Sequence, residues 1–139
     1  TLSFIAQERN MTTSKHVLIV GLQPHLIDFS GPEFAAFPGL NADKVMQGLN
    51  AGVASLAALG YDATFCLTDF GDTAEAVLRD ELKARHYDCV MVGAGVRTFT
   101  THFLLFEKMI NIIHQHAPGA RICFNTNPGD TAEAVRRWI

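Results

Sequence analysis

Residues able to do chemistry gather at a few positions. Gly93-Ala94-Gly95-Val96-Arg97-Thr98 combines two glycines with a guanidinium. Glycines let backbone N–H groups approach a ligand closely, and a guanidinium can fork onto a carboxylate or phosphate. Asn125 is an amide donor suited to a developing oxyanion. His25 and His102 are candidate proton carriers, because an imidazole titrates near neutrality. Asp28 can orient His25, share its proton, or meet Arg97. In the functional reading, Gly93, Gly95, Arg97, Thr98 and Asn125 hold an anion, while His25, Asp28 and His102 transfer protons. Lyase, isomerase and hydrolase chemistry all fit that set. A structural reading also fits: a tight glycine turn, an Arg97–Asp28 pair, and histidines facing water.

Other kinds of site fail on spacing. No H-x-x-x-H, H-E-x-x-H or carboxylate cluster supports a metal site. His114 and His116 stand two apart and share no helical face; they suit the negative end of a helix. Gly93-Ala-Gly95 opens like a dinucleotide loop, but Thr98 replaces the third glycine. His114-Gln-His116 stands where an acidic ribose ligand belongs. No G-x-S-x-G elbow is present. Neither a cofactor nor a metal is expected.

Four short apolar runs read as strands: His16–Val20, Ala63–Leu67, Asp88–Val92 and Arg121–Phe124. Helical patterns separate them. The first helix spans Ala42–Leu59, with an apolar stripe of Val45, Leu49, Val53 and Leu56. Asn41 is its N-cap and Gly60 its C-cap. Gly48 and Gly52 would permit close approach to the sheet. Gly71-Asp-Thr-Ala-Glu-Ala-Val77 recurs as Gly129-Asp-Thr-Ala-Glu-Ala-Val135. In each copy the aspartate (Asp72, Asp130) reads as a helix cap, with Glu75 or Glu133 completing a capping box. Those carboxylates fill two helix starts, leaving the start after Gly93 open to an external anion.

A helix over Thr101–Ala117 carries two apolar stripes. If Phe103, Phe106, Ile110 and Ile113 cover the sheet, then Leu105, Met109 and Ile112 are exposed on a monomer. That predicts a twofold homodimer through helix 101–117. The segment Leu22–Leu40 is too long for a simple connection and reads as a lid or binding loop.

Alternating strands and helices imply parallel strands with right-handed crossovers. The nearly all-apolar first and third strands read as central and buried on both faces. The expected fold is α/β: a small doubly wound three-layer sandwich with a four-stranded parallel sheet in order 2-1-3-4. Ligands of such sheets bind at the carboxyl ends of the strands. With 139 residues the chain is long enough for one domain. Residues 16–139 are assigned to it, and residues 1–15 to a flexible N-terminal extension. Met11 is a plausible natural start, and a further upstream extension is equally compatible. A 48% hydrophobic, 18% charged composition excludes a disordered chain. The net charge is −3 and basic residues form no run, so no nucleic-acid partner is expected. No apolar stretch is long enough to span a membrane. Three cysteines in apolar runs, without C-x-x-C, suit free thiols in the cytoplasm.

In element order, residues 16–139 resemble small Rossmann-like domains of the flavodoxin and receiver kind. The functional motifs of those families do not carry over. Gly21-Leu-Gln23 stands where a receiver has its acidic pair, and Val92-Gly93 where it has its phosphoacceptor. Gln23-Pro-His-Leu26 stands where a flavodoxin binds phosphate. The stretches VGAGVR, LFEKMINIIHQHAPGARICFNT and DTAEAVRRW resemble an uncharacterised family of small bacterial proteins. That resemblance implies a compact domain and no activity. The functional expectation is a domain binding an anionic small molecule at the sheet's carboxyl edge, with catalysis left open. The alternative is a non-catalytic oligomeric binding module.

Overall fold

A computed structural model describes residues 14–139. Most of the expected 1–15 extension therefore lies outside the described residues. Four strands form one parallel sheet: β1 (His16–Leu22), β2 (Asp62–Thr68), β3 (Cys89–Val92) and β4 (Arg121–Phe124). Their order is β2-β1-β3-β4, as the polarity of the strands predicts. In register, Ile19 stands beside Phe65 and Met91, and Met91 beside Cys123. β1 runs two residues beyond its expected end, because Gly21 and Leu22 pair with Leu67 and Thr68.

The strand pleat splits the core into two layers. Leu18, Val20, Val90 and Val92 face one side, under α2 (Ala74–Ala84) and α4 (Phe103–His116). Val17, Ile19, Cys89 and Met91 face the other, under α1 (Ala42–Ala58) and α5 (Thr131–Arg136). A short helical turn, α3 (Ala94–Arg97), follows β3.

Local sequence explains the ends of α1. The Asn41 side chain accepts from Lys44 N–H at 2.9 Å. At the other end Gly60 adopts φ +90°, while Gly60 N–H reaches Ala57 O and Tyr61 N–H reaches Leu56 O. That is a Schellman stop, which requires the left-handed residue. The two mid-helix glycines serve a different contact from the one expected. They admit the segment after β4, not the sheet. A Cβ on Gly48 would lie 2.7 Å from Pro128 Cβ, and one on Gly52 3.3 Å from Thr131 Cβ.

The repeated capping expectation is corrected in both copies. Before α2, Asp69 does the work: it accepts from Gly71 N–H at 3.0 Å and from Thr73 N–H at 3.1 Å. Asp72 is exposed and makes no cap, and Glu75 instead pairs with Lys108 at 3.1 Å. Before α5, Asn127 is the cap, and Asp130 closes a capping box as its third residue. An Asx residue two places before the glycine, Asp69 or Asn127, reaches those N–H groups first.

Both stripes of α4 turn inward, so the one expected to be exposed is not. Leu105, Met109, Ile112 and Ile113 are buried against α2 and the sheet, whereas Phe103 and Leu104 are 62% and 66% exposed. The stripe offered as a dimer face is core. From the other stripe, Phe106 and Ile110 are half-buried against the same core, and Phe106 meets Phe124 of β4, so only Phe103 of the two stripes stands out.

The glycine contacts give a stability test. Alanine at position 48 gains about 1 kcal/mol in helix propensity but meets an overpacking cost of about 1–3 kcal/mol, so a net loss near 1 kcal/mol is expected. Gly52→Ala meets a side chain at longer range and is expected near neutral. Urea denaturation of both variants checks the order; equal stability of Gly48→Ala and wild type would contradict it.

Candidate functional site at the carboxyl edge of the sheet

The loops after all four strands meet at one edge. Gly93 lies tight against β1: its N–H donates to Val20 O at 2.8 Å, and a Cβ there would sit 3.4 Å from that oxygen. Gly95 faces open space, with nothing within 4 Å of a built Cβ. Between them, Ala94 N–H donates to Asn125 Oδ1 at 2.9 Å. Asn125 is buried, and its Nδ2 donates to Thr131 Oγ1 at 3.0 Å. Both ends of its amide are thus spent inside the protein, tying the β3 loop to the start of α5. Its backbone oxygen accepts from Arg97 Nη2 at 2.7 Å.

Arg97 is half-buried, with its guanidinium carbon 5.7 Å from the centre of the Phe124 ring. No carboxylate among the described residues pairs with it, and its Nε is buried without an acceptor. The Thr98 hydroxyl turns back to Ala94 O at 2.6 Å. His102 Nδ1 lies 3.0 Å from Gly95 O. A carbonyl can only accept, so Nδ1 is the donor in this contact and Nε2 is the ring nitrogen left without a hydrogen-bond partner among the described residues. Gly93, Gly95, Arg97, His102 and Asn125 therefore form one bonded group.

His25 and Asp28 stand apart from it. His25 is exposed, with Nδ1 3.4 Å from Gln23 Oε1 and Nε2 3.7 Å from Asp43. Asp28 accepts from the Ser30 N–H at 3.0 Å and from the Ser30 hydroxyl. Among the described residues, neither makes a hydrogen bond or ion pair with Arg97 or with the other. What links their loop to the bonded group is aromatic. Ring centres run from Phe29 to Phe34 (5.0 Å), Phe34 to Phe99 (5.2 Å), Phe99 to His102 (5.9 Å) and His102 to Phe70 (5.5 Å). Sequence reasoning placed Asp69 at this edge without a role and named none of Phe70, Phe99 and Thr131 as site residues. Extending the repeat upstream to Thr68-Asp69 and Thr126-Asn127 would have exposed the capping pair.

Three aspartates of this edge are held below the usual carboxylate range. Hydrogen bonds from the Ser30 side chain and backbone lower Asp28, and those from Gly71 and Thr73 lower Asp69. Partial burial works upward on Asp130, and donors at Thr126 and Asn127 outweigh it.

A cleft of about 300 Å³ opens at the opposite edge, where α2 and α4 end, with Lys83, Arg85, His86 and His116 around it. Lys83 and His116 lie in last helical turns, where positive charge complements the dipole. Arg85 reaches Thr64, and His86 pairs with Asp88. Those partners account for the basic residues without a ligand.

The chain matches no protein-family model and no curated protein. The likeness of its three stretches to a bacterial family gains no support from these comparisons. What stands is the architecture: a small parallel α/β fold of Rossmann-like, flavodoxin-like design. No helix among the described residues is long and apolar enough to cross a membrane.

Removing the Asn125 amide strands Ala94 N–H, and Asn125→Ala is expected to cost roughly 1–3 kcal/mol in denaturant unfolding. A loss too small to measure would show that water or rotation of the loop replaces the bonds. The aspartates set a pH test. A depressed folded pKa stabilises fully above the unfolded value and loses its contribution as pH falls through the folded value. Stability should hold above about pH 5 and fall below about pH 4. The double variant Asp69→Asn, Asp130→Asn should show a shallower fall, read from urea midpoints across that range.

Proposed function

We propose that this domain binds an anionic small molecule, a carboxylate or phosphate ester, at the carboxyl edge of its sheet. Arg97 supplies the charge. The observation that carries this reading is the state of that side chain: no internal carboxylate neutralises it, and one backbone oxygen and one ring fix it in place. A guanidinium pre-positioned in this way loses little freedom on meeting a planar anion. The Gly93–Gly95 turn and Thr98 border the anion, with Gly95 on the open side. Asn125 acts through position, since it holds Arg97 on its carbonyl and the turn on its amide.

If the domain is catalytic, His102 is the better placed proton carrier. Its ring is oriented by Gly95 O and flanked by Phe70 and Phe99, which leaves Nε2 as the basic atom. His25 and Asp28 lie on the long loop and serve this reading as groups that close over a bound ligand. The three free, buried thiols suit a reducing cytoplasm.

The alternative reading is a non-catalytic module that self-associates through helix 101–117. Exposed Phe103 and Leu104 at the start of α4 favour it, in place of the stripe now known to be core.

Arg97→Ala separates a ligand arginine from a structural one. Acetate and inorganic phosphate are the probes, followed by NMR titration. The variant should lose ten- to a hundredfold in affinity, about the value of a charged bidentate contact. Its melting temperature should change little, and Arg97→Lys should rescue little. Unchanged affinity would remove Arg97 from the site. A sharp loss of stability would make it a structural prop.

A further inference from the structure

We infer that the anion held at this edge carries a flat apolar or aromatic body, so that the ligand class is an aryl or similarly unsaturated monocarboxylate. The inference rests on the anion reading of Arg97 and adds the rest of the molecule to it.

Two observations lead there. The first is the file of rings. Phe29, Phe34, Phe99, His102 and Phe70 come from the loops after β1, β3 and β2, and they cross the edge in unbroken ring-to-ring contact. Phe29, Phe34, Phe99 and His102 are half-buried. The last ring is not: Phe70 is 47% exposed. It is also not loose. Asp69 clasps the N–H groups of Gly71 and Thr73 and the Thr73 hydroxyl at 2.8 Å, so Phe70 rides on a turn pinned from beneath. An aromatic side chain held outward on a fixed turn, at 42° to a histidine ring, offers a stacking surface. His102 joins that surface to Gly95, two residues from Arg97, so cation and ring surface belong to one short stretch of chain.

The second observation is charge. Asp28, Asp69 and Asp130 stand in the loops of this same edge, and their hydrogen bonds keep them ionised. A polyanion such as a nucleotide or a bisphosphate would add several negative charges beside three fixed ones. A ligand with a single carboxylate meets Arg97 with its only charge and presents a neutral body to the rest. Apolar rings to receive that body are what the edge supplies.

The test is an NMR titration of the whole chain with acetate, phenylacetate and inorganic pyrophosphate at matched ionic strength, repeated on Phe70→Ala. Phe70 is exposed, so the variant should fold as wild type. Phenylacetate should bind at least tenfold more tightly than acetate, pyrophosphate no better than acetate, and Phe70→Ala should remove most of the phenylacetate gain while leaving acetate unchanged. Equal binding of acetate and phenylacetate overturns the aromatic body and leaves the anion reading intact. A phenylacetate gain that survives Phe70→Ala overturns the ring file as its seat. Preference for pyrophosphate overturns the monocarboxylate class. If no probe binds, the anion reading itself fails and takes this inference with it.

Discussion

The buried amide of Asn125 is the joint on which the edge depends. It sits one residue past β4, where a parallel strand ends and its last polar groups must find partners away from water. Its oxygen takes Ala94 N–H, its nitrogen reaches Thr131, and its backbone oxygen takes Arg97. Three loops and helix starts are thereby placed relative to one another by one residue. Gly52 completes the arrangement from α1, where that helix lies close against Thr131 and a Cβ would sit 3.3 Å from Thr131 Cβ. Packing on one face of the sheet and the placement of Arg97 on the edge are thus parts of one structure.

The repeated segments show how far identical letters determine local structure. Gly71-Asp-Thr-Ala and Gly129-Asp-Thr-Ala open α2 and α5, yet Gly71 has φ +137° and Gly129 has no positive φ. The difference comes from the preceding residue. Pro128 sets its own φ and starts a tight turn, which brings Asp130 back to Thr126 and Asn127. Phe70 imposes no such limit. Asp69 therefore reaches forward to Gly71 and Thr73, Asp72 is left outside, and the Phe70 ring points out.

Much of the fold was legible because it rests on polarity and spacing. β3 is apolar throughout and β1 is apolar after His16, and only the middle of a parallel sheet buries both faces of a strand. The burial of both stripes of α4 was not legible, since a helix on a sheet ordinarily covers one stripe, and here Phe106 and Ile110 pack into the same core as Leu105, Met109 and Ile112. The second stripe is covered by α2, a non-local neighbour. The site was legible by residue type and not by contact. Gly93, Gly95, Arg97, His102 and Asn125 do come together, but two of the joining acceptors are backbone oxygens, which leave no trace in side-chain letters. The Arg97–Asp28 pair of the structural reading is absent because Ser30, two residues away, already satisfies Asp28.

That local satisfaction decides what the edge can offer a ligand. Asp28, Asp69 and Asp130 each direct carboxylate oxygens at N–H and hydroxyl groups of their own loop. A carboxylate so engaged is a poor acceptor for anything further, and its ordered loop is costly to open. Thr98 and the Asn125 amide are likewise committed. Among the described residues of the bonded group, unspent polar capacity is therefore concentrated in Arg97 and in Nε2 of His102. One is a donor that is always charged, and the other is a ring nitrogen without a partner among the described residues. A cation and a base on one short stretch, with rings beside them, form an asymmetric surface. It favours a ligand whose charge is confined to one end, because the fixed carboxylates oppose negative charge elsewhere along the edge.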